Sequence, residues 1–310
     1  MTSPADTEAA AVTEQEELER YVTRLRDSNR YRVLQRFDPP TRYTPDDGSP
    51  TATALAVDVE TTGLDPAEDA IIQFCAIPFE YCRVTGRIFG VGRAATYLED
   101  PGRQIPEEIV ALTGLTDAMV AGQRIDDDAL SQLLATASLV IAHNAAFDRR
   151  FVERRLPRFR DKPWACSQRE VPWQRHGLSS SKLEFLMFRH CGLFYSAHSA
   201  EVDGYALIHL LATPLPSGES AMRLLLASAR QRTVRIWALS APFEQKDRLK
   251  ARRYRWSGGE EGRPRAWYLD VPEAAAEAEC TWLEQQVYGG APRRWRREVY
   301  DACSRYSDRV

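Results

Sequence analysis

Apolar and polar residues change period several times along this chain, and each change predicts an element. Leu18, Tyr21, Val22, Leu25, Tyr31, Val33 and Leu34 recur at spacings near three and four. That period predicts an amphipathic helix over 14–37, broken near Ser28 and Asn29. Residues 1–13 before it are small, polar and acidic, which predicts a disordered leader. Residues 38–50 are rich in Pro, Asp, Gly and Thr and read as a loop. Residues 54–59 then form a short apolar run that breaks at Gly63 and Pro66, the signature of a buried strand. Two more strands follow over 71–81 and 88–98. The short Gly-containing turn 83–86 between them predicts an antiparallel hairpin.

From there strands and helices alternate. Helices are expected over 106–112 and 126–136, a strand over 138–142 and a helix over 144–155 closed by Pro157. A strand over 164–170, a helix capped by Ser179, Ser180 and Ser181 that runs to Cys191, and a helix over 201–212 complete the series. A hairpin followed by alternation predicts a mixed sheet flanked by helices, the α/β class. The last third reads as helix 219–231, strand 233–239, helix 243–251, strands 254–256 and 266–269, and helix 273–288. This predicts four regions. They are a leader and helix over 1–50, a main domain over 51–216, an accessory α+β module over 217–290 and a basic tail over 291–310.

Composition narrows the class. A hydrophobic content of 44% supports a proper core and excludes global disorder. The formal charge of −3 is unevenly spread. Residues 230–310 hold 17 Lys and Arg against 12 Asp and Glu, so the basic end suits a polyanion. None of the six cysteines falls in a C-x-x-C pair, which argues against structural zinc. The acidic start has no apolar h-region, and no apolar run approaches the roughly 18 residues of a membrane span. A cytoplasmic protein with reduced thiols and no membrane partner is expected.

Chemistry enters at Asp58 and Glu60. They sit one residue apart on a strand, so they share a face. Two carboxylates side by side in a core are costly unless neutralised, and a divalent cation with oxygen ligands, Mg²⁺ or Mn²⁺, is the simplest neutraliser. An acidic strand end facing solvent is the other reading, and this stretch alone leaves both open. Two further places carry acidic or imidazole groups at element ends. His143, Asn144 and Asp148 follow the strand 138–142, and His198 and Asp203 open the helix 201–212.

In order and spacing these three groups resemble the DEDDh exonucleases, the DnaQ-like family that includes proofreading exonuclease subunits and oligoribonuclease-type enzymes. D-x-E-T-T-G-L-D-P spans 58–66, H-N-x-x-F-D spans 143–148 and H-x-x-x-x-D spans 198–203. The resemblance covers residues 52–212. It implies a ribonuclease-H-like mixed sheet and metal-dependent 3′–5′ hydrolysis of phosphodiester bonds that releases nucleoside monophosphates. Asp58, Glu60, Asp148 and Asp203 would then hold two Mg²⁺ or Mn²⁺ ions, and His198 would be the general base. Thr61, Thr62 and Leu64 would contact the terminal nucleotide, His143 a phosphate and Phe147 a base, with Asn144 beside them. Each of these also has a structural reading: a turn, a helix cap or a core aromatic. Glu201 is set apart from the ligands by the spacing, as a charge at the helix start.

In the accessory module, residues 249–256 and 265–268 resemble a small unit appended to some bacterial DnaQ-like proteins. Lys250, Arg252, Arg253 and Arg255 offer phosphate contacts, while Trp256 and Trp267 are expected in its core. The run 293–297 suits either nucleic acid or an ordered edge of the last helix. Single-stranded DNA is the expected partner. An RNA-trimming enzyme of the oligoribonuclease type and a catalytically silent nucleic-acid adaptor remain as alternatives.

Overall fold

The computed structural model describes residues 4–259, 262–290 and 294–310, with side chains from residue 16 onward. Residues 1–3 of the expected leader and Arg293 of the expected tail lie outside the described residues. The main sheet is built on Thr51–Thr61 (β1), whose residues 54–57 are wholly buried. Such a run is stable only as a central strand covered on both faces. Ile71–Cys82 (β2) pairs with it antiparallel. Ile88–Val91 (β3) and Ala95–Leu98 (β4) both pair antiparallel with β2. On the other side Leu139–Ala142 (β5) runs parallel to β1, and Trp164–Cys166 (β6) parallel to β5. The order β3–β2–β1–β5–β6 makes the expected mixed sheet.

Helix Pro4–Asp27 (α1) precedes the sheet, with its described side chains largely exposed, and helices Glu107–Thr113 (α2), Asp127–Thr136 (α3), Ala145–Arg155 (α4), Ala200–Ala212 (α5) and Ala221–Ala229 (α6) accompany it. Alternation along β1 decides which helix meets which face. Leu55, Val57 and Val59 pack with Leu130 and Val152 under α3 and α4. Ala54 and Ala56 pack with Leu207, Ile208 and Leu225 under α5 and α6. Asp58 and Glu60 share the parity of Ala54 and Ala56. At Gly204 of α5 a Cβ would lie 2.9 Å from Ile77 Cδ1, so only glycine lets this helix approach the sheet so closely.

Several expectations are corrected. The strand expected over 88–98 is two strands, because β2 carries Pro78, which has no N–H for the ladder. The chain turns instead at Gly92, whose amide donates to the Pro78 carbonyl oxygen at 2.7 Å. The strand expected over 164–170 ends at Cys166 and passes into a helical turn, Ser167–Glu170. The first helix begins at Pro4, inside the expected leader. Helix α6 belongs to the main core, so the boundary drawn at 216/217 divides a packed unit.

The accessory module comprises Thr233–Ala238 (β7), Lys246–Ala251 (α7), Arg255–Trp256 (β8), Trp267–Pro272 (β9), Ala276–Gln286 (α8) and Trp295–Tyr300 (β10). Its antiparallel sheet has the order β8–β9–β7–β10. The expected basic tail therefore supplies a strand. Trp267 packs against the module core as expected, but Trp256 is 52% exposed and only meets Trp267 edge to face.

After β10 the chain returns to the main domain. Arg149 of α4, fully buried, donates to the carbonyl oxygens of Ala302 at 3.0 Å, Arg305 at 2.7 Å and Cys303. Its Nε pairs with Glu153 one turn on, at 2.5 Å. A buried guanidinium is tolerated because every side of it is satisfied. Replacing Arg149 by methionine takes the donor from the Arg305 carbonyl oxygen, while Glu153 keeps Arg309 and the Ala302 and Cys303 carbonyl oxygens keep the Trp164 amide and Arg309. We expect Arg149→Met to cost about 2–3 kcal/mol of unfolding free energy. Urea unfolding monitored by circular dichroism measures this, and a loss below about 1 kcal/mol would show that the clamp is dispensable.

Candidate active site

Four carboxylates converge at one end of the main sheet from three elements. Asp58 and Glu60 come from β1, Asp148 from the first turn of α4 and Asp203 from the first turn of α5. Carboxylate oxygens of Asp58, Glu60 and Asp203 all lie within 4.8 Å of one another. Asp148 is buried, and its charge acts on both Asp58 and Glu60. Burial, then repulsion from Asp203 and Asp148, pushes Glu60 up to about 8. Burial, then the charges of Asp148, Asp203 and Glu60, holds Asp58 well above the carboxylate range. Burial takes Asp148 up to about 7, against the pull of the Val59 amide. Hard oxygen donors converging in a partly desolvated pocket are a donor set for a divalent cation, so these residues fit the group that the motifs imply.

Asp203 is raised too, by burial, but its two oxygens are the best anchored of the set. The Tyr195 hydroxyl donates to one at 2.9 Å, and the amides of His198 and Ser199 donate to the other at 2.8 and 3.1 Å. His198 is exposed and sits at a φ of 67°, a left-handed conformation that costs a non-glycine residue of order 1 kcal/mol. Its backbone is held by Asp203, while its ring has no hydrogen-bond partner among the described residues.

The loop after β1 is fixed by a second set of contacts. Thr62 Oγ1 donates to Asp69, and Arg103 bonds both Thr62 Oγ1 and Asp69 at 2.7 and 2.8 Å. At Gly63 a Cβ would lie 2.4 Å from the Asp69 carboxylate, so glycine is required. The Thr62 amide donates to the Ala70 carbonyl oxygen, and the Thr61 hydroxyl to the Gly63 carbonyl oxygen at 2.5 Å. Both threonines are buried and committed to the loop. Leu64 is the opposite case, at 83% exposed. It shares a hollow of about 220 Å³ with Asn144 and Phe147.

His143 corrects its expected phosphate contact. Its Nδ1 meets the Ser167 hydroxyl at 2.8 Å and its Nε2 the Ser181 carbonyl oxygen at 2.7 Å. A carbonyl only accepts, so Nε2 carries the hydrogen and both ring nitrogens are taken. Burial lowers its pKa to about 4 and keeps it neutral. Asn144 stands at the N-cap of α4 without a side-chain cap bond, and Phe147 rests on Phe151 at 5.0 Å between ring centroids. Glu201 turns away from the cluster to accept from Thr96 at 2.7 Å. Tyr195 went unseen in the sequence because it lies in a loop with no period, eight residues before Asp203.

In the accessory module, Arg252 is bidentate to the buried Glu279 and stacks on Trp282, and Arg255 pairs with Asp270 at 3.1 Å. Lys250 and Arg253 are exposed.

An exonuclease family model, RNase_T, matches residues 55–206. That span holds all four carboxylates and His198. Residues 55–206 form an exonuclease domain of the DnaQ-like family. The chain is 36% identical over 103 residues to the PolC-type DNA polymerase III of Thermotoga petrophila, covering 33% of this chain and 7% of that one. It is 31% identical over 112 residues to the DNA polymerase III subunit epsilon of Aquifex aeolicus, covering 36% of this chain and 52% of that one. The chain thus spans about half of the epsilon subunit and under a tenth of the PolC-type polymerase. Among solved structures, exonuclease I of E. coli with single-stranded DNA matches 71% of this chain and 63% of that one, at 17% identity and a TM-score of 0.47. Exonuclease X with 5′-overhanging duplex DNA matches 56% of this chain and 99% of that one, at 20% identity and a TM-score of 0.38. No helix among the described residues is long and apolar enough to cross a membrane.

The raised carboxylates of this DnaQ-like domain make a stability prediction. A group whose pKa is raised by folding stabilises the fold while protonated and ceases to do so as pH rises through the folded value. The window here runs from the ordinary carboxylate range to about 8, set by Asp148 near 7 and Glu60 near 8. Metal-free protein should therefore lose thermal stability between pH 5 and pH 8, and Asp148→Asn should flatten that slope. Differential scanning calorimetry in EDTA tests this. A melting temperature that rises over the same window would refute the repulsion.

Proposed function

We propose that the chain is a metal-dependent 3′–5′ exonuclease that removes nucleoside monophosphates from single-stranded DNA. The observation that carries this reading is the close set of mutually repelling carboxylates, within reach of an exposed histidine. In this reading Asp58, Glu60, Asp148 and Asp203 hold two divalent cations, Mg²⁺ or Mn²⁺. Such ions, when bound, acidify the attacking water and neutralise charge on the phosphate and the leaving oxygen. His198 takes the proton of that water as the general base, a task that an imidazole nitrogen can perform. Tyr195 and the amides of His198 and Ser199 orient Asp203 and so link the base to the carboxylates. Leu64, otherwise an unexplained exposed leucine, wedges against the terminal base in the hollow it shares with Asn144 and Phe147. Thr61 and Thr62 act indirectly, by holding the loop that presents Leu64. The 3′–5′ direction is the one that the motif resemblance implies, and the named relatives are DNA polymerase subunits, which favours DNA over RNA.

The test uses 5′-labelled single strands of DNA and RNA of one sequence, each with Mg²⁺, Mn²⁺ or EDTA. The expected result is a metal-dependent ladder that shortens from the 3′ end, strongest on DNA. Asp58→Ala should abolish it while leaving the circular dichroism spectrum unchanged. His198→Ala should slow it by about 10²- to 10⁴-fold. Intact strands in every lane, with binding retained, would replace this reading by the adaptor one.

A further inference from the structure

The hollow that holds Leu64 and Phe147 is not closed. Ala146, Arg150 and Arg169 line it, and the same three residues line a cleft of about 510 Å³ that continues away from the carboxylates. The far wall of that cleft is the accessory module, through Arg255, Arg263 and Tyr268, and its floor is the returning segment 305–310. Six arginines line it among the described residues. Arg150 pairs with Asp308, Arg235 and Arg255 share Asp270, and Arg305 pairs with Glu170.

The arginines divide into two kinds. Arg235 is bidentate to Asp270 at 2.7 and 2.9 Å and lies between the rings of Tyr268 and Tyr300, and Arg305 pairs with the buried Glu170. Both are structural. Arg150, Arg169 and Arg255 are at the surface. Arg255 lies 4.8 Å from the centroid of the Tyr268 ring and Arg169 lies 6.0 Å from that of Tyr306, so aromatic faces limit their freedom. Arg263 donates to the Val310 carbonyl oxygen at 3.2 Å across the mouth. Asp308, 57% exposed, pairs with Arg150, two residues beyond Asp148 on α4. An exposed carboxylate on an exposed guanidinium contributes about 0–1 kcal/mol, so a phosphodiester can take its place at little cost.

We infer that this arginine-lined cleft between the exonuclease domain and the accessory module is a binding track for the backbone of single-stranded DNA upstream of the end being cut. Guanidiniums spaced along a groove and steadied by aromatic rings suit a chain of phosphates without reading its sequence. The track differs from the basic run of α7. There Arg252 is committed to Glu279, and only Arg255 of the expected contacts reaches the cleft. The direction of the strand in the track rests on the exonuclease reading, whereas the track itself does not.

The test measures binding and cleavage separately, on the full chain. Fluorescence anisotropy with labelled dT20 in EDTA reads the track alone, and hydrolysis of dT4 with Mn²⁺ reads the carboxylate site alone. The variant Arg255→Ala should weaken dT20 binding about threefold. It should also lower the slope of log affinity against log salt by about 0.7, the slope of one lost single-strand phosphate contact. Cleavage of dT4 should stay within twofold of the parent. Arg255→Lys should keep most of the slope, and Asp308→Asn should tighten dT20 binding two- to threefold. Unchanged dT20 affinity in the alanine variant, or an equal loss for dT4 and dT20, would overturn the track. If the parent fails to cleave dT4, the exonuclease reading fails, while the anisotropy series still decides the track by the same criteria.

Discussion

Mutual repulsion at the end of β1 is the constraint around which this molecule is arranged. Four carboxylates are held together where burial raises all of them and neighbouring carboxylates raise Asp58, Glu60 and Asp148 further, and a fold does not keep such a group together without opposing contacts. The opposing contacts are visible on every side. β1 is central in the sheet and covered on both faces, so Asp58 and Glu60 cannot swing into water without breaking the core. Asp203 is bound by a tyrosine hydroxyl and two amides. Asp148 is carried on α4, whose neighbour Arg149 is locked by three carbonyl oxygens and Glu153. The resulting cost is what a divalent cation bound there would relieve, and such an ion would add to the stability of the site.

The same helix couples the two halves of the chain. Residues 148, 149 and 150 lie consecutively on α4 and face three tasks. Asp148 enters the carboxylate cluster, Arg149 clamps the segment that returns from the accessory module, and Arg150 lines the cleft beyond. A movement of the module therefore acts on the helix that carries a carboxylate of the site. Had the module been joined by a free linker, its arginines would have no set distance from the cut end.

What could be read in the sequence follows from how local each signal is. The period-two run of β1 placed Asp58 and Glu60 on one face, and strand and helix ends placed Asp148 and Asp203 near them, because these are properties of neighbours in the chain. Arg149 looked like any charged helix residue, since its burial depends on carbonyls more than 150 positions away. His143 looked available for the same reason: Ser167 and Ser181, which occupy its ring, are distant in sequence. Strand β10 was hidden by its arginines. The run 293–297, with four arginines in five residues, read as a nucleic-acid contact or an edge of the last helix, whereas Trp295, Arg297 and Val299 alternate with Arg296, Glu298 and Tyr300 along a strand paired to β7. The expected phosphate contact at Arg252 failed because its partner, Glu279, is on another helix.

The near-neutral sum of charges conceals a division of labour. A net charge of −3 would not attract a polyanion, and the carboxylate cluster by itself would repel one. Attraction has to come from elsewhere and has to end at the cluster. The cleft lined by Arg150, Arg169 and Arg255 shares Ala146, Arg150 and Arg169 with the hollow beneath Leu64, so the positive surface reaches the start of α4, the helix that carries Asp148. Within about a Debye length of 8–10 Å each group feels its own neighbours more than the net charge of the chain. A strand held along the arginines would therefore present its end to carboxylates whose charge is already balanced by cations. Without those cations, the same approach would be opposed at its last step.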